Sequence, residues 1–145
     1  VSALLADTFG LPRWQVTTTA SEANRAVIRW CRGITGRRKV LLFNGCYHGA
    51  VDDAFVDLKN GEPTMRASLV VLAEPVMTNV GMVRDVPGFL HRLRALCDAT
   101  GTLLVFDETH TISSGFGGHS NTHGPMPDIM VIGKSIGGGV PTAVY

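Results

Sequence analysis

The chain has 145 residues, the size of one domain, with 45% hydrophobic and 17% charged residues, a net charge of +1 and a mean hydropathy of +0.18. That is ample material for a core. With no basic run and no charge asymmetry, nothing in the composition implies a nucleic-acid or membrane-surface partner.

The apolar stretches are strand-sized, well short of the ~20 residues that span a bilayer, and no signal peptide is visible. A cytoplasmic location is therefore expected. Cys31, Cys46 and Cys97 are odd in number and lack C-x-x-C pairing, which reads as reduced thiols. The chain opens on Val1 and stops at Tyr145, just past a glycine turn. Part of a longer polypeptide is expected.

Strands and helices alternate. Residues 15–19, rich in β-branched side chains, predict a strand. Ser21 then reads as an N-cap, with Ala23, Ala26, Val27, Trp30 and Cys31 at helical spacing and Gly33 as the stop. Residues 39–43 form the next strand, ending at the turn signal Asn44-Gly45. Residues 69–73 form another, closed by Glu74-Pro75. Pro87 suits the first turn of a helix with an apolar face of Phe89, Leu90, Leu93, Leu96 and Cys97, ended by Gly101. Strands at 102–106 and 128–132 complete the set. Residues 57–68 have weak pattern, and the glycine- and serine-rich stretch 111–127 reads as a loop. Several strands are apolar throughout, which fits a parallel sheet covered on both faces and an α/β fold.

Lys134 carries the strongest chemical signal. It follows the apolar run Ile129-Met130-Val131-Ile132 and opens K-S-I-G-G-G. Upstream, Leu103-Leu104-Val105-Phe106 ends in Asp107-Glu108. An amine and a carboxylate at the carboxyl ends of buried strands point to one site, because ligands gather at that edge of open α/β sheets. A lysine that is neutral part of the time, through burial or a nearby cation, can form an imine with an aldehyde. A strand-end carboxylate can hold a protonated pyridine nitrogen. Ser21 at a helix start offers a hydroxyl and backbone N–H groups to a phosphate, and Tyr47-His48 offers a flat face for stacking. Together these are the needs of pyridoxal phosphate.

The pieces T-A-S-E-A-N, T-G-R, F-N-G-C-Y-H-G, A-E-P-V-M-T-N-V-G, G-F-L-H-R-L-R, G-T-L-L-V-F-D-E and P-D-I-M-V-I-G-K-S-I-G-G-G-V-P follow one another in order, with 27 positions from Asp107 to Lys134. In this the chain resembles the class III aminotransferases, pyridoxal-phosphate enzymes of fold type I that include glutamate-semialdehyde aminomutase. The resemblance implies a fragment of the large, cofactor-binding domain, a mostly parallel sheet flanked by helices. Lys134 would form the Schiff base and then act as base, and Asp107 would pair with the pyridine nitrogen. Ala20 and Ser21 would hold the phosphate, Tyr47 would stack on the ring and His48 would support it. Glu74 and Asn79 would lie near cofactor and substrate. Thr109 and His110 stand where the family commonly has valine and glutamine, and His110 would donate a hydrogen bond to the ring hydroxyl.

Two departures accompany the resemblance. Members of the family are longer, with an N-terminal segment and a C-terminal small domain, and residues near 57–69 are expected to be missing relative to them. The implied partners are an amino donor, a keto acid or aldehyde acceptor, and a second subunit sharing the active sites. The implied reaction is transamination, with aminomutase or racemase chemistry as the alternative.

A lysine after a strand is usually a solvated end residue; the glycine triplet and the Asp107 spacing reverse this for Lys134. Asp107 alone would serve as a cap or loop carboxylate, and Tyr47 and His48 as boundary residues. His110, His119 and His123 lie in a glycine-rich loop with no cysteine or carboxylate to complete a metal set. G-K-S resembles the end of a phosphate-binding loop of a nucleotide hydrolase, but that motif needs glycine where Asp128 stands. An inactive scaffold relative would not need both Lys134 and Asp107.

Overall fold

The computed structural model of the chain describes residues 2–43, 46–49, 51 and 70–145. The expected turn at Asn44-Gly45 and the weak stretch 57–68 lie outside the described residues.

Helix α1 spans Ser2–Phe9 and strand β1 Val16–Thr17. Helix α2 is Ala20–Thr35, and strand β2 is Val40–Leu42. Strand β3, Val70–Ala73, leads into a hairpin of β4, Val76–Met77, and β5, Val83–Arg84. Helix α3 covers Phe89–Thr100 and strand β6 Leu103–Asp107. Helix α4, Gly118–His123, precedes strand β7, Ile129–Val131, and strand β8, Ala143–Val144.

The main sheet has four strands in the order β2-β3-β6-β7, all parallel. Side chains alternate across it, so both faces are buried. Val70, Leu72, Val105 and Val131 pack with Ala23, Val27, Ile28 and Cys31 of α2. Val71, Ala73, Leu104 and Phe106 pack with Leu90, Leu93 and Cys97 of α3. Phe9 of α1 joins Met130, Ile132 and Val144 in a third cluster. The expected α/β layering is present.

Several local expectations are corrected. The strand expected at 15–19 is only two residues long, and it pairs antiparallel with β8 instead of joining the main sheet. The N-cap of α2 is Thr19, not Ser21: its backbone is extended and its hydroxyl accepts the Glu22 N–H at 3.2 Å. The helix runs through Gly33 to a left-handed Gly36, whose N–H reaches Arg32 O at 3.0 Å. Its buried face is Ala23, Asn24, Val27, Ile28 and Cys31, while Trp30 is exposed. Helix α3 starts after Gly88, two residues past Pro87, and leaves Leu96 exposed.

The stretch 111–127 is not a plain loop. It holds a 3-10 turn at Thr111–Ser114 and then α4. The cause is Glu108, which is fully buried. Its Oε2 accepts the His119 N–H at 2.6 Å and the Thr111 hydroxyl at 3.1 Å, and its Oε1 accepts the Ser120 N–H at 2.8 Å and the Ser120 hydroxyl. A carboxylate at the start of α4 meets donors that have no partner within the helix.

Candidate active site

Parallel strands place their carboxyl ends along one edge, and the chemistry is there. Asp107 is the last residue of β6 and pairs in register with Val131 of β7, three residues before Lys134. Glu74 follows β3. A cavity of about 300 Å³ opens at this edge, lined by residues that include Thr19, Ala20, Ser21, Tyr47, His48, Gly49, Glu74, Asp107, Thr109, His110 and Lys134. The N-terminus of α2 opens into the same space. Of the residues expected at the site, only Asn79 is not in this lining; it is exposed in the turn between β4 and β5.

Asp107 is 5% exposed and is held on several sides. Its Oδ2 accepts from Asn24 Nδ2 at 2.9 Å and faces His48 Nδ1 at 3.1 Å, while its Oδ1 accepts the Thr109 N–H at 3.1 Å. Burial alone would raise its pKa; the His48 bond and charge, with Thr109 and Asn24, outweigh this and hold it below the usual value. Burial likewise works to lower the His48 pKa, but Asp107, helped by Cys46, lifts it to about 9. The pair is therefore a buried imidazolium beside a carboxylate.

Lys134 is exposed and opens a 3-10 turn, Lys134–Gly137, in the left-handed region at φ 49°. That conformation favours glycine, and a lysine there costs about 1 kcal/mol. Gly133, just before it, lies against Ala20 and Thr109: a Cβ on it would sit 3.3 Å from Ala20 Cβ and 3.7 Å from Thr109 Cγ2. The amine end of the cavity thus abuts the helix-start end. Gly49, at φ 80°, packs so closely on Ser21 that a Cβ would fall 2.1 Å from Ser21 Oγ.

Sequence reasoning missed Asn24 and Gly49 as site residues. Asn24 is fully buried and also donates to His48 O at 3.1 Å. The available signal was a polar residue in the middle of an otherwise apolar helix face. His119 and His123 sit on α4 with ring centroids 5.2 Å apart, and no metal-binding group of three ligating residues occurs among the described residues.

The donor set fits pyridoxal phosphate. Asp107, held anionic, would suit a cationic ring nitrogen, and the α2 N-terminus, which lines the same cavity, would suit a phosphate. Asn24 Oδ1, His48 Nε2 and Thr109 Oγ1 are buried without a hydrogen-bond partner among the described residues. Their polarity marks a site organised around more than its own packing.

A parallel sheet gathers a lysine, a carboxylate and a helix N-terminus at its carboxyl edge. The family model "Aminotransferase class-III" matches residues 57–145, and the chain belongs to that family, whose members depend on pyridoxal phosphate. Among curated relatives, the glutamate-1-semialdehyde 2,1-aminomutase of Lawsonia intracellularis is 34% identical, over 94% of this chain and 40% of that protein. The enzyme of that name from Thermomicrobium roseum is 36% identical, over 88% and 38%. The chain thus spans about 40% of the length of the relatives it matches.

Solved structures agree. A glutamate-1-semialdehyde-aminomutase from Pseudomonas aeruginosa PAO1 superposes with a TM-score of 0.92 at 41% identity, over 99% of this chain and 39% of that one. A substituted form of that enzyme, solved in complex with PMP, gives 0.91 at 40%, over 99% and 39%. An omega-transaminase from Sphaerobacter thermophilus gives 0.86 at 28%, over 99% and 42%.

Proposed function

We propose that the full-length protein is a pyridoxal-phosphate-dependent aminotransferase whose cofactor is held by this segment, part of its large domain. The observation that carries the reading is the placement of Asp107 and Lys134 at the carboxyl ends of neighbouring parallel strands, around one cavity that α2 enters by its N-terminus.

Lys134 Nζ would hold the cofactor and would move a proton at the substrate carbon. Asp107, held anionic, keeps a proton on the ring nitrogen. Ala20, Ser21 and the neighbouring Thr19 receive the phosphate, and Tyr47 supplies a stacking face. Thr109 and His110 would lie beside the ring and Glu74 on the substrate side, since all three line the cavity. Bound there, pyridoxal phosphate supplies an electron sink for a carbanion at the carbon bearing the amino group.

The partners in this reading are an amino donor and a keto acid or aldehyde acceptor, with a second copy of the chain completing a dimer. The expected location is the cytoplasm. Among the described residues no helix is long and apolar enough to cross a membrane.

The test is the visible spectrum of the purified full-length protein before and after borohydride, with mass mapping of the label. The expected result is a yellow protein whose pyridoxyl mark lies on Lys134. A colourless protein that takes up no added cofactor would overturn the reading. An aminomutase is the second reading, favoured by the relatives named above. It would turn over one substrate without an added keto acid, which an aminotransferase requires.

A further inference from the structure

Glu74, Thr78 and His110 form a hydrogen-bonded chain beside the cavity. Glu74 is 8% exposed. Its Oε1 accepts the Tyr47 N–H at 3.1 Å, and its Oε2 accepts the Thr78 N–H at 3.2 Å and the Thr78 hydroxyl at 3.1 Å. The same hydroxyl meets His110 Nδ1.

A hydroxyl has one proton to give, and a carboxylate has only lone pairs to offer. Were the Thr78 proton aimed at His110, the Thr78 oxygen would face the Glu74 oxygen lone pair to lone pair at 3.1 Å. That is repulsive, and more so in a largely buried place. Both contacts are hydrogen bonds only if Thr78 Oγ1 donates to Glu74 and accepts an N–H from His110 Nδ1.

We propose that Glu74 and Thr78 lock neutral His110 in its Nδ1–H tautomer, so that His110 offers the cavity a hydrogen-bond acceptor, Nε2, for a ligand hydroxyl or ammonium group. This reverses the donor role implied by the family resemblance. A glutamine carries both an acceptor and two donors, whereas a neutral histidine held this way can only accept. The other titratable groups lining the same cavity are Tyr47, His48, Glu74, Asp107 and Lys134. The tautomer stands on the geometry alone. That the donor is the ammonium group of the cofactor's amine form rests on the proposed function.

The test is long-range proton–nitrogen NMR of the full-length protein labelled at histidine, with and without pyridoxamine phosphate. His110→Gln assigns the signal. In the neutral ring, Nδ1 is expected protonated and Nε2 bare. Thr78→Val should move the ring toward the Nε2–H form, and Thr78→Ser should restore the wild-type pattern. A wild-type Nε2–H ring, or a Thr78→Val pattern identical to wild type, overturns the lock. If Thr78→Val does not fold, the wild-type and Thr78→Ser spectra decide. Bound pyridoxamine phosphate, whose ammonium group can donate, should shift the Nε2 resonance as an acceptor bond forms; binding with no shift overturns the acceptor role. Failure to bind the cofactor, with the tautomer intact, supports the lock and counts against the proposed function alone.

Discussion

His48 Nδ1 lies 3.1 Å from Asp107 Oδ2, and the two side chains are 1% and 5% exposed. Fifty-nine positions apart in sequence, they meet because the segment after β2 and the end of β6 share the carboxyl edge of one sheet. Asn24, from the buried face of α2, touches both residues.

This pair sets a pH dependence of stability. The His48 pKa is raised from 6.5 to about 9, so its contribution is fully present below about 6.5 and is lost as pH rises through about 9. Asp107 is shifted the other way, so its contribution is present above 3.8 and is lost as pH falls through the lowered value. Urea denaturation should show an alkaline loss of about 2 kcal/mol between pH 6.5 and 9.5. His48→Gln should flatten that slope; an unchanged slope would show that the pair does not titrate this way.

Lys134→Gly should separate stability from chemistry. At φ 49° on an exposed residue, glycine relieves strain, and the melting temperature should rise by the equivalent of ~0.5–1 kcal/mol. The borohydride-trapped label should vanish and turnover should fall by about 10³-fold or more. A drop in melting temperature would argue against the left-handed conformation.

Glu108→Ala removes four hydrogen bonds from a fully buried site. Orphaned donors should cost about 3 kcal/mol or more, and α4 should loosen first. Calorimetry with limited proteolysis checks this: cleavage is expected to concentrate between residues 115 and 124. Cleavage elsewhere would place the weak point outside α4.

Gly49→Ala should disturb the helix-start end of the cavity. The residue sits at φ 80°, and the added methyl would meet Ser21 Oγ at 2.1 Å. Strain of ~1–3 kcal/mol is expected, along with weaker binding of pyridoxal phosphate, by about tenfold or more, measured by spectroscopic titration. Equal affinity in the two proteins would remove the Ser21 end from the phosphate site.

The sequence alone determined the signals that are local. Apolar runs ended by Asp107, by Glu74 and by the turn at Lys134 marked the strands and their chemical ends, and strands apolar on both faces imply a sheet covered on both sides. Helix α3 and its closing glycine were legible for the same reason.

Tertiary contacts decided the rest. Which stripe of α2 is buried depends on β3, β6 and β7, so Asn24 and Ile28 displaced Trp30 from the expected face. Thr19 rather than Ser21 became the cap because the chain leaves β1 extended at that residue. A glycine-rich stretch became α4 because Glu108, eleven and twelve positions upstream of His119 and Ser120, meets their N–H groups. In the proposed lock His110 presents an acceptor because the hydroxyl of Thr78, 32 positions away, donates its hydrogen bond to Glu74. Hydrogen bonds between distant segments leave no periodic trace in sequence, and they set the protonation and orientation of the site.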